Sequence, residues 1–102
     1  MPELPVLFSR IAEQEFLDAE VYYEVQQPGL GGRFRKQVIA SVQRLRNYPR
    51  AWERVQQGEI RKCPVHRFPY HLFYALEADH ILVLAVAHAH RKPMYWSDRI
   101  DE

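Results

Sequence analysis

Ile81-Leu82-Val83-Leu84-Ala85-Val86-Ala87 is an unbroken apolar run rich in β-branched side chains, and it constrains the fold more than any other stretch. Such a run suits a strand buried on both faces. The segment that follows, His88 to Arg99, gathers two imidazoles, two adjacent cations, two aromatics and a further arginine. A stiff strand thus delivers a polar cluster to one place, which is how a rigid scaffold aims a functional loop.

A chain of 102 residues, 47% hydrophobic and 26% charged, reads as a single domain spanning residues 1–102, able to bury roughly two thirds of its unfolded surface. The apolar run falls well short of the roughly 20 residues of a membrane helix. Met1-Pro2-Glu3-Leu4-Pro5 has no basic n-region, so the expectation is a soluble, cytoplasmic chain with no membrane contact. The lone Cys63 cannot form an internal disulfide, and its strand-like setting points to a packing thiol rather than a nucleophile.

Charge is unevenly distributed. Residues 1–30 carry one basic and six acidic groups, residues 31–67 ten and two, and residues 68–102 three and five. The middle is a cationic belt. It suits nucleic acid or an acidic partner, although arginines along an amphipathic helix also serve as its solvated face.

Leu4-Pro5-Val6-Leu7-Phe8 fits an edge strand, where proline removes one ladder donor at no cost. Ser9 then offers an N-cap hydroxyl. From Arg10 to about Gln27, Ala12, Phe16, Ala19 and Tyr23 recur at steps of four, three and four, the stripe of an amphipathic helix. Pro28-Gly29-Leu30-Gly31-Gly32 breaks it with glycines that tolerate positive φ. A second helix is predicted over Arg33 to Asn47, with Phe34, Val38, Val42 and Leu45 on one face, and Pro49 ends it. Two helices joined by so short a turn form an antiparallel hairpin whose apolar seam requires a sheet. After a connection anchored by Trp52 and ending in Gln57-Gly58, three strands are predicted at Ile60 to Val65, Tyr70 to Leu76 and His80 to His88, the last two joined by an antiparallel hairpin at Glu77-Ala78-Asp79. Phe68, Tyr70, Leu72, Tyr74 and Leu76 share one parity and are expected beneath the helices. That leaves His71, Phe73 and Ala75 on the opposite face, flanked by Arg61, Lys62 and Arg67.

Four motifs carry a resemblance: Ala19-(x)3-Tyr23-Glu24; Pro28-Gly29-Leu30-Gly31-(x)2-Phe34; Phe68-Pro69-Tyr70-(x)3-Tyr74; and His88-(x)2-Arg91-(x)-Pro93-(x)-Tyr95-Trp96-(x)2-Arg99. Together they run from about Ser9 to Arg99 and resemble the ParE/RelE toxin superfamily of type II toxin-antitoxin modules, also called plasmid stabilisation proteins. The resemblance implies an α+β fold in the order β-α-α-β-β-β, with an N-terminal helical hairpin on one face of a mostly antiparallel sheet. The element order read from the residues is the same. It further implies a cognate antitoxin, a hetero-oligomer with that antitoxin, a cytoplasmic setting, no cofactor, and growth inhibition by the free chain. The glycine-leucine-glycine turn and the Tyr-Trp ending resemble the ParE-like branch, which blocks DNA gyrase. The alternative is a RelE-like, metal-independent endoribonuclease acting on ribosome-bound messenger RNA, and a further alternative is a degenerate member that only binds its partner.

RNA cleavage requires a base, an acid and cations for the phosphorane charge. His71, Arg91 and Tyr95 are the candidates for catalysis. His71 stands where the resemblance leads one to expect arginine, and a neutral imidazole anchors phosphate less well than a guanidinium. Arg61, Lys62, Arg67, His88, His90, Trp96 and Arg99 are the candidates for target or nucleic-acid contact, although Tyr95 and Trp96 more often close the core of so small a domain. His88 and His90 share strand parity with Leu82, Leu84 and Val86, so they are expected on one side. Two imidazoles lack the third and fourth ligands zinc requires, and no metal site is expected.

Overall fold

A computed structural model describes residues 3–55, 59–92 and 94–99. The elements run β1 (Val6–Phe8), α1 (Arg10–Gln26), α2 (Leu30–Asn47), β2 (Glu53–Arg54), β3 (Ile60–Val65), β4 (Tyr70–Leu76) and β5 (Ile81–His88), closing on a 3-10 turn at Ser97–Arg99. The five strands make one sheet in the order β1-β5-β4-β3-β2. β1 lies parallel to β5 at one edge, and the other neighbours are antiparallel. The expected α+β layering is therefore what forms, with the two-residue β2 added as an outer strand that sequence pattern did not reveal. Gln57-Gly58 and Pro93, named in the sequence reading, lie outside the described residues.

α1 begins where Ser9 takes extended dihedrals and its Oγ accepts from the Ala12 N–H at 3.1 Å, satisfying one of the donors a helix start leaves free. Ala12 and Ala19 are buried, and Phe16 and Tyr23 pack against the same core. α2 starts three residues earlier than predicted, at Leu30 rather than Arg33. Of the glycines in the turn, only Gly29 takes positive φ, at +91°, as the N-cap. Gly31 lies inside the helix for a different reason. A Cβ there would stand 2.7 Å from the Glu20 carbonyl oxygen, so its missing side chain is what lets α2 cross α1 closely. Glu24 completes the junction, its carboxylate accepting from the N–H groups of Gly29 and Gly31 at 3.0 to 3.1 Å. These bonds supply the cap that no side chain within α2 provides.

The helical hairpin covers one face of the sheet. Beneath it lie Phe34, Val38, Leu45, Cys63, Leu72, Tyr74, Ile81 and Val83. The opposite face carries a second, smaller cluster of Ile60, Leu84, Ala85 and Trp96, with Phe73, Ala75, Leu82, Met94 and Tyr95 packed around it. The chain after His88 folds back over this face and buries part of it.

β5 contains a bulge. Ala85 pairs with Phe73 while Val83 pairs with Tyr74, leaving Leu84 without a partner on β4. One extra residue reverses the side-chain alternation. Val83 and Val86 thus both face the helices, whereas Leu84 and Ala85 face away. The expected shared parity of His88 with Leu82 and Leu84 is overturned for this reason. His88 instead follows Val86, its ring 5.1 Å from Tyr70 in an edge contact.

Candidate functional site

The face away from the helices and the returning C-terminal segment enclose a cleft of about 190 Å³, lined among others by Lys62, His71, Phe73, Arg91, Lys92 and Tyr95. Strand register explains the assembly. Lys62 on β3 is paired with Phe73, and Pro64 with His71, on adjoining strands, so all four side chains share one face. His88 ends β5, and its carbonyl accepts from the Arg91 N–H at 2.9 Å, which turns the chain back across the sheet. Ala89 N–H donates to the Pro69 carbonyl at 2.7 Å, tying that turn to the approach of β4. Met94 sits at φ +63°, uncommon for a non-glycine residue, and sends Tyr95 and Trp96 inward. Trp96 is 1% exposed, with its ring 4.9 Å from Phe73.

Of the residues singled out from sequence, the cleft brings together Lys62, His71, His88, Arg91, Tyr95 and Trp96. His90 does not line it; it is exposed, its ring 5.2 Å from His88. Arg61 and Arg67 are elsewhere. Arg61 pairs in register with Tyr74 on the helix-covered face, and its Nη1 donates to the Trp52 carbonyl at 2.7 Å. Arg67 lines a separate cleft with Arg33, Lys36 and Phe68 beside α2. Trp96, a contact candidate that also suited closing the core, takes the second role: it is buried and plugs the second cluster.

Tyr95 is held from three sides. The Arg91 guanidinium lies 4.0 Å and that of Arg99 5.0 Å from its ring centroid, a double cation–π arrangement. Its hydroxyl donates to Glu15 Oε2 at 2.6 Å. Burial first, then the Glu15 bond and charge, push the Tyr95 phenol well above its ordinary pKa of 10.0. Burial works against charge on Arg99, but its hydrogen bond to Glu15 and that carboxylate's charge outweigh this, and its pKa is raised.

Sequence reasoning missed Glu15. The signal was present, because Glu15 lies three residues after Ala12 and four before Ala19, a carboxylate on the apolar stripe of α1 where an amphipathic helix has no use for one.

Burial, followed by the Lys62 charge, pushes the His71 imidazole below its ordinary 6.5, against an opposite pull from Glu53. The folded chain therefore binds fewer protons here than the unfolded one. Stability tied to neutral His71 is complete above pH 6.5 and drains away as pH falls from there through the folded-state pKa. An NMR titration of the imidazole is expected to give a midpoint below 6.5. His71→Gln is expected to flatten the acid limb of the stability profile, and a midpoint at or above the ordinary value contradicts the assignment. Cys63 is fully buried and its thiol is pushed up to about 11, first by burial, which keeps it out of nucleophilic chemistry. Among the described residues no three His, Cys, Asp or Glu side chains are grouped to hold a metal ion.

A family model described as the ParE toxin of type II toxin-antitoxin system, parDE, matches residues 6–93. No curated protein matches. Among solved structures, a chain of the chromosomal ParDE TA system from P. aeruginosa aligns with a TM-score of 0.75 at 14% identity, covering 86% of this chain and 98% of that one. At that identity the likeness is one of fold.

Proposed function

We propose, for a chain that belongs to the family of ParE toxins of type II toxin-antitoxin systems, that it arrests growth by binding and inhibiting DNA gyrase through the cleft and its C-terminal segment, and that a ParD-type antitoxin restrains it. The observation that carries the binding reading is the Tyr95 hydroxyl. Donated to Glu15 at 2.6 Å and raised in pKa, it is not free to act as a general acid. The cations Lys62, Arg91 and Lys92 around Phe73 and Met94 then serve as a recognition surface. An antitoxin finds apolar purchase on α1, where Val21 is 61% and Val25 77% exposed. No helix among the described residues is long and apolar enough to cross a membrane.

One observation favours the nuclease reading instead: a neutral imidazole at His71 beside Lys62 and Arg91 has the makings of a base next to phosphate-binding cations. A supercoiling assay with purified gyrase separates the two. Inhibition with trapped cleaved DNA, reversed by the antitoxin, is the expected result. Normal supercoiling at saturating toxin overturns it, and codon-positioned breaks mapped by primer extension in arrested cells would establish the nuclease in its place. Unimpaired growth on expression without antitoxin would leave the partner-binding role alone.

A further inference from the structure

The geometry points to Glu15 as the positioning residue of the toxic surface: one carboxylate from α1 holds residues 94–99 against the sheet and thereby fixes Arg91, Tyr95 and Trp96 in place. β1 ends at Phe8, and the last bond across that edge is Ser9 N–H to the Val83 carbonyl at 3.0 Å. Beyond it the chain has left for α1, and the bulged edge of β5 has lost its neighbouring strand. Unpaired backbone groups at such an edge are costly when buried. Glu15 and Arg99 occupy the gap. Glu15 Oε1 accepts from the Val86 N–H at 3.0 Å, and Arg99 Nη1 donates to the Leu84 carbonyl at 3.0 Å. The two side chains are themselves paired, at 3.0 and 3.2 Å, with 16% and 14% of their side-chain surfaces exposed. Glu15 Oε2 takes the Tyr95 hydroxyl as well.

The ion pair therefore does the work of a missing strand. It also has a second consequence. The 94–99 segment carries the plug Trp96 and the Tyr95 ring that Arg91 lies over, yet among the described residues its charged anchor to the body is this carboxylate. Removing the charge releases a segment, not the fold, because the main core under the helices holds none of these side chains.

The functional arm rests on the gyrase reading above, and the structural arm does not. Glu15→Gln keeps the shape and one acceptor oxygen but loses the ion pair. In a Trp52→Phe background, which leaves Trp96 as the reporter, acrylamide quenching is expected to rise several-fold in Glu15→Gln while far-UV circular dichroism stays unchanged. A released segment lowers the fraction of competent molecules. Association with gyrase should then slow roughly 10-fold with little change in dissociation, and inhibition should still reach the same plateau at higher toxin. Loss of a direct contact would act on dissociation instead. Arg99→Lys, which retains one charged contact, is expected to fall between wild type and Glu15→Gln.

A Trp96 that stays shielded in Glu15→Gln overturns the inference. So does an exposed Trp96 with unaltered association, and so does a dissociation rate that carries the whole loss. Should wild type not inhibit gyrase, the gyrase reading falls separately, and growth arrest across the same variants decides the role of Glu15.

Discussion

Phe34→Ala is expected to cost about 3–5 kcal/mol of stability, the range for deleting a fully buried aromatic ring. Phe34 is 0% exposed. Its ring centroid lies 5.1 Å from Tyr70, 5.2 Å from both Tyr23 and Phe68, and 6.1 Å from Phe16, so it joins α1, α2 and the start of β4. None of these neighbours can collapse into the void without breaking another of the contacts. A domain this size has about 5–15 kcal/mol in total, so the variant sits near its threshold. A urea midpoint that falls with unchanged slope is the expected readout, together with loss of growth arrest through a depleted folded population. A cost under about 1 kcal/mol would show that the ring is not the hub its contacts describe.

Trp96→Ala removes a side chain just as deeply buried, yet its effect should divide differently. Were the whole domain obliged to unfold, the cost would be about 3–5 kcal/mol again. The plug belongs to the 94–99 segment, which lies outside the main core and is anchored through Glu15, and the free energy of docking that segment caps the global loss. The thermal midpoint is therefore expected to fall less than in Phe34→Ala. Function should fall more: if gyrase is the target, as proposed above, the concentration for half-maximal inhibition rises at least 10-fold, equivalent to about 1.4 kcal/mol. Dye binding to the uncovered Ile60, Phe73 and Ala85 surface should accompany it. Equal losses of stability in the two variants would mean that the two clusters unfold as one unit.

Much of this was legible in the residues. The seams Ala12–Phe16–Ala19–Tyr23 and Phe34–Val38–Val42–Leu45 face the core as their spacing requires, because burial selects apolar groups at the helical period. Ser9 caps α1 as its side chain suggests, and the alternation along β4 sends Leu72 and Tyr74 under the helices and Phe73 away from them. Convergence of His71, Lys62, Arg91 and Tyr95 in one cleft follows from strand order and a returning tail.

The remainder was not legible. The early start of α2 is capped from another helix, Glu24 of α1 accepting from the Gly29 and Gly31 N–H groups, a fact about two helices rather than one. Arg61 and Arg67 leave the site because strand parity carries Arg61 to the Tyr74 side and the β3–β4 turn carries Arg67 toward α2.

From the chain alone came the element order, the apolar faces and the family likeness, since periodicity and turn chemistry are local properties that each segment carries with it. Tertiary structure decided the direction of His88, the departure of Arg67 from the cleft and the role of Glu15. A bulge exists only as a mismatch of count between two paired strands, and the Glu15–Arg99 pair spans 84 positions. No window of sequence contains either.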